Sequence, residues 1–207
     1  MPKPPSSFPA QADIARAADI LLAAKRPGLF AGWGAVDALP QLVELAEFLQ
    51  APVATTLQGQ SVFPHNHPLH AGFSFGPHAA PASRNAFDGC DALLAVGTRF
   101  GELATGSFGV TVPENLVHID INPEVFSQNY PAKIALAGDA AAVLQGLTFA
   151  LRARGAARPA GSGPQEQIRR DKQAYREEWY AHDGKGRVNP ARFFDEVRKQ
   201  MPDDAIA

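Results

Sequence analysis

Apolar positions along this chain follow two rhythms. Helical spacing puts Ile14, Ala17, Ala18 and Leu21 on one face of residues 12–24, and Leu39, Leu42, Val43, Ala46 and Leu49 on one face of residues 39–49. The same spacing recurs in Val143, Leu144, Leu147 and Leu151 of residues 140–154. Between these segments lie short apolar runs bounded by turn residues, at 29–31, 52–56, 92–96, 116–121 and 134–137, with the length and residue types of buried strands. Strands alternating with helices predict an α/β fold, a doubly wound parallel sheet flanked by helices.

The remaining segments follow neither rhythm. Residues 1–11 read as a linker, since Pro2, Pro4, Pro5 and Pro9 deny it regular structure. Residues 63–81 are rich in Pro, His and Gly without a helical or strand period, and a loop of that length inside a compact domain is usually functional. Its His65, His67, His70 and His78 are joined by no Cys or carboxylate at ligand spacing, so no metal is expected there. A short helical segment, 82–87, returns the chain to the next strand. After residue 154, residues 155–164 read as a flexible linker and 165–180 as a charged helix with few core positions. Residues 190–200 form an amphipathic helix carrying Phe193, Phe194 and Val197. Neither of these last helices has an evident home on the first sheet, which points to a further domain.

Composition narrows the function classes. A chain of 207 residues suits one domain with extensions. A formal net charge of -2 with no basic patch gives no field that gathers nucleic acid. The single cysteine, Cys90, rules out an internal disulfide and fits a reducing cytoplasm. The proline-rich start has no apolar core of a signal peptide, and no run approaches the length of a membrane helix.

Candidate chemistry gathers at the strand ends, because ligands of open parallel sheets sit beyond the carboxyl ends of the strands. Gly32 and Gly34 follow the first strand and lead towards a helix, an arrangement that serves either as a tight turn or as a phosphate cradle. The third glycine of the dinucleotide fingerprint is missing, its place taken by Asp37. Arg99, just past the third apolar run, offers a planar fork of donors to a phosphate or carboxylate, or forms an edge salt bridge. Asp120, at the end of the run Leu116-Val117-His118-Ile119-Asp120, either points at a ribose or another polyol or caps the turn that Asn122-Pro123 begins.

Several of these motifs occur in a familiar order. The run Ala51-Pro52-Val53-Ala54-Thr55-Thr56-Leu57, then Phe63-Pro64 and His67-Pro68, Gly97-Thr98-Arg99-Phe100, His118-Ile119-Asp120-Ile121-Asn122-Pro123-Glu124 and Gly138-Asp139 resembles the central domain of thiamine diphosphate-dependent enzymes of the acetolactate synthase type. The resemblance covers about residues 12–154 and implies a Rossmann-like, DHS-like NAD/FAD-binding fold. Residues 155–188 then become a linker and charged helix, and 189–207 resemble the opening of the following diphosphate-binding domain.

The resemblance implies a homo-oligomeric, cytoplasmic parent, a transferase or lyase acting on 2-oxo acids. Its thiamine diphosphate and magnesium would sit in N- and C-terminal domains absent from this chain, leaving the chain inactive by itself and without a catalytic residue of its own. Within the central domain some relatives hold FAD, others ADP and others nothing. Carried over by position, a nucleotide meets Gly32 and Gly34, then Thr56 and Leu57, then Gly76 and His78. Arg99 lies near its phosphates, Asp120 and Asn122 by the adenosine end, and Gly138 with Asp139 on the last turn. Where acetolactate synthases continue with two aspartates and an arginine after Arg99-Phe100, this chain has Gly101-Glu102-Leu103, which removes a charge-assisted contact to FAD. Two other readings remain: a stand-alone module for NAD or ADP, and a purely structural spacer between domains.

Overall fold

Alternation of apolar residues along each strand decides which of two cores it serves, because successive side chains point to opposite faces of a sheet. The computed structural model describes residues 8–182, 184–202 and 205, so the first seven residues of the expected leading linker lie outside it. Six strands form one parallel sheet: β1 (Pro27–Ala31), β2 (Val53–Thr55), β3 (His70–Phe73), β4 (Ala92–Val96), β5 (Leu116–Asp120) and β6 (Ile134–Ala137), in the order β3-β2-β1-β4-β5-β6. That order reverses between β1 and β4, which marks the topological switch point of a doubly wound fold.

On one face, Leu29, Ala31, Val53, Leu94, Val96, Val117, Ile119 and Leu136 pack against α1 (Gln11–Ala23), α2 (Leu39–Leu49) and α4 (Ala140–Arg154). Ile14, Leu21, Leu42, Ala46, Leu49, Val143, Leu147 and Leu151 point inward as their spacing predicts, but α2 also buries Leu45 and Phe48, while the predicted Leu39 and Val43 are only partly buried. On the other face, Phe30, Ala54, Leu93, Ala95 and Leu116 meet α3 (Pro81–Phe87) and a group of rings: Phe75 stands edge-on to Phe30 at 5.1 Å and stacks on Phe87 at 4.9 Å.

Three expectations change. The long segment 63–81 contains the edge strand β3, whose pairing with β2 skips a residue: Val53 faces His70, but Ala54 faces Gly72. Gly72, at φ 141, takes a conformation open to glycine alone. Residues 155–164 have no regular structure but are tied to the body. Arg158 donates its N–H to the Phe48 carbonyl at 3.0 Å, and Gln50 accepts the Gly161 N–H at 2.8 Å. The charged helix α5 (Gln165–Ala181) also has a home: it lies against α3, buries Ile168 in the second core and joins Asp171 to Asn85 at 3.0 Å. Only α6 (Pro190–Gln200) buries nothing, with Phe193 and Phe194 exposed. Among the described residues no helix is long and apolar enough to cross a membrane.

Candidate functional site at the carboxyl edge of the sheet

The strand ladder continues for one residue beyond five of the six strands and gathers the candidate residues on a single edge. Ser74 N–H donates to the Thr55 carbonyl (3.0 Å), Thr56 to Ala31 (2.9 Å), Gly32 to Val96 (2.9 Å), Gly97 to Ile119 (2.9 Å) and Gly138 to Asp120 (3.0 Å). Gly32, Thr56, Asp120 and Gly138 therefore share one row, and Gly34, Leu57, Gly76, His78, Arg99, Asn122 and Asp139 follow in the loops beyond it.

The glycines of the first loop are needed by the protein itself. A Cβ on Gly32 would stand 2.3 Å from the Gly97 carbonyl oxygen, and one on Gly34 would stand 2.7 Å from the Gly97 Cα. Gly34 N–H donates to that same carbonyl at 3.1 Å. Gly97 is left-handed, at φ 58, and Gly59 of the β2 loop lies against Gly32 in the same way, a Cβ there coming within 2.9 Å of the Gly32 backbone. Four glycines thus let the loops after β1, β2 and β4 touch backbone to backbone across the switch point. The sequence marks Gly97 only within Gly97-Thr98-Arg99-Phe100 and does not mark Gly59; for Gly97, a glycine ending an apolar strand run is the available signal. A 3-10 turn, Trp33–Ala38, separates Gly32 from α2, so the N-terminus of α2 does not sit directly on the glycine turn.

The polar candidates divide into those engaged locally and those with capacity left. The Thr56 hydroxyl accepts the Gly59 N–H at 3.0 Å, Asn122 caps the turn that follows it through the Glu124 N–H at 3.0 Å, and Asp139 caps α4 through the Ala142 N–H at 3.1 Å. Asp120 takes the capping part considered for it: one carboxylate oxygen accepts the Asn122 N–H at 2.9 Å, at the carboxyl end of β5. Burial raises the affinity of its carboxyl for a proton, opposed by that N–H, by the nearby His118, by the Ile121 N–H and by Arg99. Arg99 is exposed, and Asn129 fastens its loop by donating to the Arg99 and Phe100 carbonyls at 3.3 and 3.1 Å.

His118 is a further buried polar group beneath this edge. Its Nε2 lies 2.8 Å from the Thr98 carbonyl, which can only accept, so Nε2 carries the proton and Nδ1 offers a lone pair. That Nδ1 has no partner among the described residues, and the ring is held edge-on between Phe100 and Phe126. Burial keeps the imidazole neutral by lowering its pKa, against the Thr98 carbonyl and Asp120. The loops beyond this edge carry exposed apolar residues: Trp33 after β1, Leu57 after β2, and Leu103 and Phe108 after β4. Gly76 is buried against Val110, while His78 is exposed next to Gly106. Among the described residues no group of three or more His, Cys, Asp or Glu could hold a metal.

The thiamine pyrophosphate enzyme central-domain family matches residues 14–147. A probable acetolactate synthase large subunit of Methanocaldococcus jannaschii is 40% identical over 141 residues, 67% of this chain and 24% of that protein. An acetolactate synthase of Mycobacterium avium is 37% identical over 155 residues, 73% of this chain and 25% of that protein. An acetolactate synthase large subunit of Corynebacterium glutamicum is 34% identical over 143 residues, 68% and 23% of the two chains. The chain thus spans about a quarter of the length of the curated relatives it matches. By sequence match and by its doubly wound parallel sheet, the chain belongs to the thiamine pyrophosphate enzyme central-domain family and is similar to the acetolactate synthases within it.

Proposed function

We propose that this chain is the nucleotide-holding central domain of a thiamine diphosphate-dependent enzyme acting on 2-oxo acids, and that its carboxyl-edge crevice takes the ADP moiety of a nucleotide. The observation that carries this reading is an exposed Arg99 whose charge acts on a carboxylate, Asp120, at the carboxyl edge of the sheet. Arg99 would meet phosphate oxygens through its fork of N–H donors, and Asp120 would accept from ribose hydroxyls. The exposed apolar residues Trp33, Leu57, Leu103 and Phe108 would cover a flat ring, adenine or flavin. ADP is favoured over FAD, because Leu103 puts an exposed apolar side chain within the stretch where FAD-binding relatives carry an arginine.

On this reading, residues 12–154 are the central domain, 155–188 a linker and charged helix, and 189–207 the opening of a diphosphate-binding domain. Thiamine diphosphate and magnesium are held by other domains, where the cofactor supplies the electron sink for decarboxylating a 2-oxo acid. The chain by itself turns over no 2-oxo acid, and a homo-oligomeric, cytoplasmic parent fits the same reading. Titration with ADP and with FAD, followed by melting temperature and flavin fluorescence, tests the crevice, since a ligand of the folded state raises apparent stability. ADP is expected to saturate, with Arg99→Gln weakening it by about tenfold or more. Failure of both nucleotides to bind would leave the sheet as a spacer.

A further inference from the structure

The opposite edge of the sheet, where β1 and β2 begin, carries a second concavity. Lys25, Arg26, Gln50, Arg158, Ser162 and Gln167 border a pocket of about 240 Å³. Three cations and no carboxylate line it, in a chain whose formal net charge is -2. Lys25 and Arg26 are exposed, and neither side chain has an ion-pair or hydrogen-bond partner among the described residues. The Asp91 carboxylate is turned to their backbones instead, accepting the N–H groups of Lys25 at 2.8 Å and Arg26 at 2.9 Å.

Arg158 donates to the carbonyls of Ala24 and Lys25. Those bonds occupy the carbonyl end of α1, whose partial negative charge would otherwise repel an anion, and leave three of the five guanidinium N–H groups. The Gln50 amide oxygen is fully engaged, accepting from Gly161 and Gln165, and its Nε2 donates one N–H to the Glu47 carbonyl. By contrast the Ser162 hydroxyl and the Gln167 amide have no partner among the described residues. The far wall includes Pro164, the start of α5, which has no side-chain cap on its first N–H groups.

We propose that this pocket binds a small phosphorylated anion, with Lys25, Arg26 and Arg158 supplying the positive charge and Ser162 and Gln167 further hydrogen bonds. At about 240 Å³ it falls below the roughly 300 Å³ at which sites for larger organic ligands begin, which suits a phosphate group and not a whole nucleotide. Arginine and lysine together match the charge of a dianion, and guanidinium groups match the geometry of its oxygens. Occupancy would tie the start of α5 and the 155–164 segment to the ends of α1 and α2. The site is independent of the nucleotide crevice, which lies at the other end of the strands.

Isothermal titration of the chain at constant ionic strength, with inorganic phosphate and separately with glycerol phosphate, is the test. Saturable one-to-one binding is expected, weakened at least about tenfold in the double variant Lys25→Gln, Arg26→Gln. That variant is decisive because both side chains are exposed and hold nothing, whereas Arg158→Gln also frees the α1 carbonyls. Tighter binding of glycerol phosphate would assign the site to a phosphate group on a larger molecule, and equal or tighter binding of inorganic phosphate to the free ion; either upholds the proposal. Absence of saturable heat from both ligands, or binding untouched by the double variant, would overturn it.

Discussion

Gly32, Gly34 and Gly97 occupy one another's side-chain space, so a single methyl group there has nowhere to go. Gly97→Ala combines a left-handed backbone with a Cβ 2.4 Å from the Gly34 carbonyl carbon. We expect it to cost about 2 kcal/mol or more in urea unfolding. Gly101→Ala, where a Cβ meets nothing within 4 Å, should stay within about 0.5 kcal/mol. Equal stability of the two variants would refute the backbone-packing role. A second residue-scale prediction concerns His70, stacked on His65 at 4.7 Å with its Nε2 buried and unpartnered. Burial, then Lys172, then His65 and His67 lower its pKa from 6.5 to about 3. The unfolded chain therefore takes up this proton first as acid is added. Its contribution to stability is whole above pH 6.5 and falls towards pH 3 by up to about 1.4 kcal/mol per unit. In His70→Leu this part of the acid slope should vanish, and an unchanged slope between pH 6.5 and 4 would contradict the assignment.

Among the elements, α5 and α6 make a contrast that stability measurements can resolve. Ile168 is the one residue α5 buries, so Ile168→Ala should destabilise by about 2 to 4 kcal/mol. It should also speed hydrogen exchange in the first turns of α5, and unaltered exchange there would mean the helix does not depend on that anchor. Phe193→Ser with Phe194→Ser on α6 should leave stability within about 0.5 kcal/mol. Because those rings are exposed apolar surface, the same pair should reduce self-association seen by light scattering; a wild-type chain that is strictly monomeric would count against this. These two helices also mark where reading the sequence succeeds and where it stops. Helices with four to six inward residues, such as α1, α2 and α4, were legible from spacing. The docking of α5 was not, because one buried isoleucine in seventeen residues leaves no periodic stripe. Likewise β3, His-Ala-Gly-Phe among prolines and glycines, has no apolar alternation, and its pairing depends on a glycine conformation. The 155–164 segment looks like a linker because its anchors, Phe48, Gln50 and the end of α1, are over a hundred residues away in sequence.

For the whole molecule, the strand order carries the functional argument. Six parallel strands bring every candidate from Gly32 to Asp139 to one edge, which alternating strands and helices already implied. What the order of motifs could not reveal is that Gly32 and Gly34 serve contact with Gly97, a partner over sixty residues on. Exposed apolar residues in the loops of one edge and three cations around the pocket at the other give the sheet two chemically distinct ends. The most direct test of the nucleotide reading is chemical-shift mapping of isotopically labelled chain titrated with ADP. The account expects saturable shifts confined to the loops after β1, β2, β4 and β5, including the amides of Gly32, Thr56, Arg99 and Asn122, and their loss in Arg99→Gln. Shifts confined to the Lys25, Arg26 and Arg158 pocket, or none at all, would contradict it.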